Sequence, residues 1–275
     1  MSAPQILAGA VVDPRAVIGA RVRIGVGTVV GPEVTVGDDV EIGHHAVLEG
    51  RVVLGPRIRV GHGAVLGGVP QDLKYKDTTV SGVRVGAGTV IREYVQIHRA
   101  TRQDGWTEIG DDCLIMGMAH IAHDCRIGNG VIIINYAGLT GHCEIGDRAT
   151  IGGLTGLAPF TRVGQHAYIG GVAKVTKDVP PYVLADGVPV TARGVNVVGL
   201  RRAGVGPADR RVLRDAFRIL YRSGLAPHRA VEQIRADLPA TEAIKVLLDF
   251  IAASKRGICV GGDVDADAED GEVEA

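Results

Sequence analysis

The chain has 275 residues, 46% of them hydrophobic, with a net charge of −1, 40 glycines and only ten aromatic side chains (six Tyr, three Phe, one Trp). That apolar fraction supports a globular core built from Val, Ile, Leu and Ala, and excludes a chain too polar to fold. No apolar run approaches the roughly 18 residues that span a bilayer, and the N-terminus lacks a basic segment followed by an apolar stretch, so the expectation is a soluble cytoplasmic protein without an integral membrane segment.

From Val12 an aliphatic residue opens every sixth position: Val12, Ile18, Ile24, Val30, Val36, Ile42, Leu48, Leu54, Val60 and Leu66. The fifth residue of each hexad is small or β-branched, as at Ala16, Val22, Thr28 and Val34. The pattern resumes at Val85, Ile91 and Ile97, then runs from Ile109 to Val175. A period of six fits neither an α-helix nor a flat amphipathic strand, but it is the signature of a parallel β-helix. Three hexads close one triangular coil, so residues 18 apart stack at the roughly 4.8 Å spacing of neighbouring strands. Openers and fifth residues fill the interior, and the many glycines are expected at the corners, where a backbone without Cβ bends at little cost.

Two outward loops interrupt the hexads, 67–82 and 99–108. The repeat should stop at VPPYV (179–183), whose paired prolines cannot continue a ladder. Beyond it, GPADRRVLRDAFRILYRSG sets Val212, Leu213, Phe217, Leu220 and Tyr221 on one helical face, with Pro207 in the first turn and Gly224 at the end. APHRAVEQIRADL and PATEAIKVLLDFIAASKRG read as two more amphipathic helices. The expected domains are a β-helix over 1–190, a helical subdomain over 191–258 and an acidic disordered tail over 259–275. Residues 263–275 hold seven carboxylates and no Lys or Arg; removing them from the net charge of −1 leaves the rest at +6. A basic body favours acidic partners, nucleotide phosphates or an acidic carrier protein.

Residues 116–125, MGMAHIAHDC, look like a metal motif, but the hexad count divides them. Cys125, Cys113 and Cys143 are fifth residues and point inward, while His123 is a third residue at an outer corner, so no metal is expected. Adding 18 to His123 reaches Gly141, beside His142. His120, His123, Asp124 and His142 thus converge on one face, where a carboxylate could orient an imidazole acting as a base. The bland alternative is that corner positions tolerate histidine.

The hexads, QDLKY (71–75), IHR (97–99), AHIAHDC (119–125), TGH (140–142), DVPPYV (178–183), GVNVVGL (194–200) and LYRSG (220–224) together resemble the UDP-N-acetylglucosamine acyltransferases that begin lipid A synthesis. The resemblance covers nearly all of 6–258. It implies an all-β left-handed parallel β-helix followed by a small α-helical subdomain, assembled as a homotrimer with sites between subunits. It also implies transfer of an R-3-hydroxyacyl group from acyl carrier protein to the 3-hydroxyl of UDP-N-acetylglucosamine, with no cofactor, metal or nucleic acid. Position by position, His123 matches the general base, Asp124 its orienting carboxylate, and the Gly141 N–H the oxyanion donor. Asp72, Lys74, His120 and His142 match substrate contacts, Asn196 and Arg202 nucleotide contacts, and Gly171 the position that limits acyl length.

The sequence departs from that family at Ala158 and Pro159 (commonly His-Gln), Val198 (Glu), Ala203 (Arg) and Lys174 (Gly). Each polar group lost near the nucleotide or sugar is worth about 1–3 kcal/mol of binding if buried. Two other readings therefore stand beside O-acylation: N-acylation of the 3-amino sugar, and a non-catalytic trimeric nucleotide-sugar binder.

Overall fold

The computed structural model describes residues 3–262. Their hexads wind into a left-handed parallel β-helix whose three faces are sheets of eleven, nine and eight strands. Partners are mostly 18 residues apart, as in Gln5↔Arg23, His120↔Gly138 and Glu144↔Arg162. Across the two loops the offset grows, Val60 pairing with Ile91 and Ile97 with Ile121, and the strands return to register beyond each. The insertions are thus extruded sideways, with only a local register shift between Leu66 and Gly68 where the first begins.

Openers and fifth residues fill the prism: Ile121, Cys125, Ile133, Leu139, Cys143 and Ile151 are all fully buried. At about 25 cal/mol per Å² of apolar surface, this continuous aliphatic column dominates the favourable side of folding. Its narrow bore explains why Phe and Trp are so rare.

The glycines do something other than expected. Gly25 and Gly152, each directly after an opener, do not adopt left-handed backbone; a Cβ there would lie 2.6 Å from the Gly43 carbonyl carbon and 2.4 Å from that of Gly170. Close stacking of successive coils, not bending, demands glycine at these positions. The left-handed bend falls two residues later and is mostly made by ordinary residues, among them Asp124 (φ 59°), His142 (φ 63°), Leu154 (φ 58°) and Phe160 (φ 62°). Such a conformation costs roughly 1–2 kcal/mol per residue and persists because the ladders on both sides impose it.

Both loops are shorter than the sequence suggests. Strands Val65–Gly68 and Gly82–Val85 leave 69–81 as the first insertion, and strand Trp106–Ile109 leaves 99–105 as the second. Trp106 is held on the outer sheet face between the Arg51 and Arg84 guanidinium groups, 4.5 and 4.3 Å from its ring. That cation–π sandwich anchors a residue otherwise assigned to a loop.

VPPYV stops two sheets but not the third. Val179 bridges to Val163 before the prolines, and Val183–Asp186 adds in parallel to Tyr168–Ile169. Thr191–Val195 then reverses antiparallel onto it, so residues placed at the start of the helical part are sheet. Four helices follow: α1 (Val197–Arg202), α2 (Pro207–Arg222), α3 (Pro227–Asp237) and α4 (Glu242–Ala252). The sequence pattern misses α1, which is too short for periodicity. Leu213, Leu220, Ile234, Ile244 and Leu247 form a second core, joined by Tyr182 from the end of the β-helix. Phe217 packs instead onto the first core, while Val212 and Tyr221 are half-buried.

Residues 259–262, assigned to the disordered tail, are ordered. Cys259 is 2% exposed, its N–H donates to Asp178 O at 2.8 Å, and Gly261 bridges to Ala192. The acidic stretch 263–275 lies outside the described residues.

Candidate active site

The corner between the nine- and eight-stranded sheets carries the histidine cluster. His120 lies on strand His120–Ile121, and His123 and Asp124 make the bend that follows. One coil on, Gly141 and His142 occupy the matching bend, and Phe160 the next. The 18-residue count therefore brings His120, His123, Asp124, Gly141 and His142 together as expected.

His123 Nδ1 is 2.9 Å from Asp124 Oδ2, with the two side chains 12% and 4% exposed. The imidazole lies over Gly141, where an added Cβ would fall 2.3 Å from His123 Cε1. His142 stands edge-on to His123 at 5.2 Å and stacks on Phe160 at 4.4 Å. Its Nε2 is 3.8 Å from Asp124 Oδ2. Among the described residues no acceptor meets the Gly141 N–H, while its carbonyl accepts from Phe160 N at 3.2 Å.

Burial pushes the Asp124 pKa up, but hydrogen bonds from Thr101 and His123 outweigh it, and the carboxyl stays below its ordinary range. It is therefore an anion at neutral pH, suited to holding a proton on His123 Nδ1 and leaving Nε2 to act as a base. Burial lowers the pKa of His120, and that of His142 despite the opposing charges of Asp124 and Asp72. His98, edge-on to His120 at 4.9 Å, is pushed down to about 4 by burial first and then by His120 and His123. These rings are neutral at pH 7, and His98 Nδ1 is buried without a hydrogen-bond partner among the described residues.

His123, Asp124 and His142 offer three ligand atoms within 4.8 Å of one another. Asp124 Oδ2, which lies within 3.8 Å of both imidazoles, already accepts from Thr101 N at 3.0 Å and Thr101 Oγ1 at 2.7 Å as well as from His123. Hydrogen-bond chemistry accounts for this geometry better.

The remaining sequence candidates spread outward. Asp72 and Lys74 lie on the first insertion, Lys74 N donating to Asp72 Oδ1 at 2.8 Å. Gly171 stacks on Gly153 at the adjacent corner, and a Cβ there would come 3.3 Å from Gly153 O. Asn196 caps α1: its Oδ1 accepts from Gly199 N at 3.0 Å and its Nδ2 donates to His166 O at 2.9 Å. Both polar ends of this side chain are thus engaged in the fold. Arg202 closes α1 with its side chain exposed.

Sequence reasoning missed Thr101, Thr107 and His98. Thr107 Oγ1 accepts from Asp124 N at 2.9 Å, and the 18-residue count, which stacks Thr107 under Cys125, could have found it. Thr101 lies in an insertion, where counting fails.

Residues 178–259 match the family described as UDP N-acetylglucosamine O-acyltransferase, domain 2, and 107–141 match the bacterial transferase hexapeptide family. The acyl-[acyl-carrier-protein]–UDP-N-acetylglucosamine O-acyltransferase of Thermodesulfovibrio yellowstonii is 47% identical over 191 residues, 69% of this chain and 74% of that protein. The enzyme of the same name from Sulfurihydrogenibium sp. is 54% identical over 193 residues, 70% and 71% of the two chains. The chain belongs to the UDP-N-acetylglucosamine O-acyltransferase family. Among solved structures, the UDP-N-acetylglucosamine acyltransferase of Francisella novicida superposes with a TM-score of 0.91 at 34% identity, covering 98% of this chain and 100% of that one. LpxA from Acinetobacter baumannii gives 0.89 at 37% identity, covering 92% and 99%. The O-acyltransferase family likeness thus extends through both the β-helix and the helical subdomain.

Proposed function

We propose that this O-acyltransferase moves an R-3-hydroxyacyl group from acyl carrier protein to the 3-hydroxyl of UDP-N-acetylglucosamine, the opening step of lipid A synthesis. The observation that carries the mechanism is the His123 Nδ1–Asp124 contact at 2.9 Å, which frees His123 Nε2 at an open corner. Nε2 takes the hydroxyl proton as the sugar oxygen attacks the thioester carbonyl. The tetrahedral oxyanion is met by the Gly141 N–H. Collapse breaks the C–S bond, the imidazolium returns its proton to the departing thiol, and the ester remains.

Asp72, Lys74, His120 and His142 bind the substrates around this centre, and Gly171 leaves room for a long chain at the neighbouring corner. Arg202 serves the nucleotide phosphates. Asn196, whose side chain caps α1 with one donor and one lone pair, offers its remaining N–H and lone pair there.

The carrier protein is acidic in this reading. The surface that suits it is the arginine-rich stretch of α2, with Arg211, Arg214 and Arg218 exposed. A homotrimer is supported by a ridge of large apolar residues at the corner between the eleven- and nine-stranded sheets. Tyr94, Met118, Tyr136, Leu154 and Val172 stack there with 46–64% of their surface exposed. No helix among the described residues is long and apolar enough to cross a membrane. Four free buried cysteines support a reducing, cytoplasmic setting.

The test mixes purified protein with a hydroxyacyl carrier protein and UDP-N-acetylglucosamine, beside His123→Ala. Transfer by the wild type and its loss in the variant are expected; an inert wild type, or a fully active variant, rejects the reading. Ala158 and Pro159, which lack the polar side chains usual there, favour N-acylation of the 3-amino sugar as the second reading. Mild alkali cleaves an ester product and spares an amide.

A further inference from the structure

Every hydrogen bond to the Asp124 carboxylate converges on one oxygen. Oδ2 accepts from His123 Nδ1 at 2.9 Å, Thr101 N at 3.0 Å and Thr101 Oγ1 at 2.7 Å, while Oδ1 is buried without a partner among the described residues. Two of three donors thus come from a single residue, and that residue belongs to the second insertion rather than to the hexads. The Asp124 side chain is only 4% exposed, so losing one of them leaves a largely buried acceptor short of a donor.

We propose that Thr101 is a positioning residue: it clamps the Asp124 carboxylate so that Oδ2 holds the proton on His123 Nδ1 and Nε2 stays unprotonated for the acceptor. This rests on His123 being the base. The clamp is itself supported from the first insertion. Ser81 Oγ donates to Ala100 O, Val80 N donates to Gln103 Oε1 at 3.0 Å, and Asp104 N donates to Val80 O at 2.8 Å. The segment that bears Asp72 and Lys74 is therefore tied to the segment that sets the base. Thr107 completes the arrangement from the interior by accepting from Asp124 N, which fixes the left-handed bend while Thr101 fixes the side chain.

A Thr101 that merely anchored its loop would need only one bond to Asp124, and any small polar contact would do. Two donors from one residue on the oxygen shared with His123 instead fix the rotation of the carboxylate and so hold that oxygen at the imidazole.

The test compares wild type with Thr101→Val, which keeps the N–H and the shape but loses the hydroxyl, and with Thr101→Ser, which restores it. For Thr101→Val, kcat should fall about tenfold or more with the acceptor KM little changed, since positioning acts in the transition state. Nitrogen-15 NMR of His123 should show the Nδ1–H tautomer in wild type and Thr101→Ser, and a mixture in Thr101→Val. Unchanged kcat and tautomer in Thr101→Val overturn the proposal. So does a lower kcat with an unchanged tautomer and a lowered melting temperature that serine does not restore, which would make Thr101 a loop anchor. The tautomer is read without turnover, so an active His123→Ala protein would reject the base assignment and leave this result separately legible.

Discussion

At the scale of single residues, the site depends on how tightly the His123 imidazole is confined. Gly141→Ala would place a methyl 2.3 Å from His123 Cε1, so the ring must move. A displacement on the order of 1 Å costs about a hundredfold in rate. Activity assays should show a loss of about 10- to 100-fold in kcat, with a melting temperature close to wild type. His98 supplies a pH dependence of stability whose sign follows from linkage. Its pKa is pushed down to about 4 when folded, so the unfolded chain binds the proton more tightly. Stability is complete above the unfolded value of roughly 6.5 and is lost as pH falls toward 4, by on the order of 3 kcal/mol. His120, His142 and His166 act in the same direction. Urea unfolding at pH 7 and pH 4.5 should show a smaller loss for His98→Gln than for wild type; equal losses would count against the assignment.

At the scale of elements, Asn196 separates support from contact. Because its side chain bonds both Gly199 N and His166 O, Asn196→Ala should destabilise the junction between β-helix and α1 by about 1–2 kcal/mol. Chemical denaturation reads that loss directly, and a variant as stable as wild type would return Asn196 to a purely ligand-facing role. The same contrast explains what the sequence could disclose. Openers such as Ile121 and fifth residues such as Cys125 are legible because one residue type recurs at a fixed period, and the period also predicts that His123 meets Gly141. Thr101 was invisible because its position depends on the path of an insertion, and α1 because six residues give no helical periodicity. Glycines such as Gly27, Gly63 and Gly130 make the bend as the sequence predicts, whereas those directly after an opener, such as Gly25 and Gly152, answer to the closeness of the next coil, a difference one sequence cannot display. Trp106 looked like loop because its partners, Arg51 and Arg84, sit on coils before the insertion.

At the scale of the molecule, the apolar ridge at one corner predicts self-association. Leu154, 63% exposed, lies in the middle of it. Leu154→Asp should shift sedimentation toward a lighter species and lower activity, whereas unchanged mass would show that the ridge is not the contact. A last consequence concerns which genetic changes this enzyme can survive. His123, the proposed base, lies on one turn and Gly141 beneath it on the next, each located only by counting residues along the chain. Removing a single residue between Ile127 and Leu139 would advance everything downstream by one position, turning interior aliphatics outward and replacing Gly141 under His123 with its neighbour. The histidine corner thus has a phase, like the frame of a message. Substitutions alter one letter, but within the β-helix length changes belong in the two extruded loops, where extra residues leave the register of the turns beyond them intact.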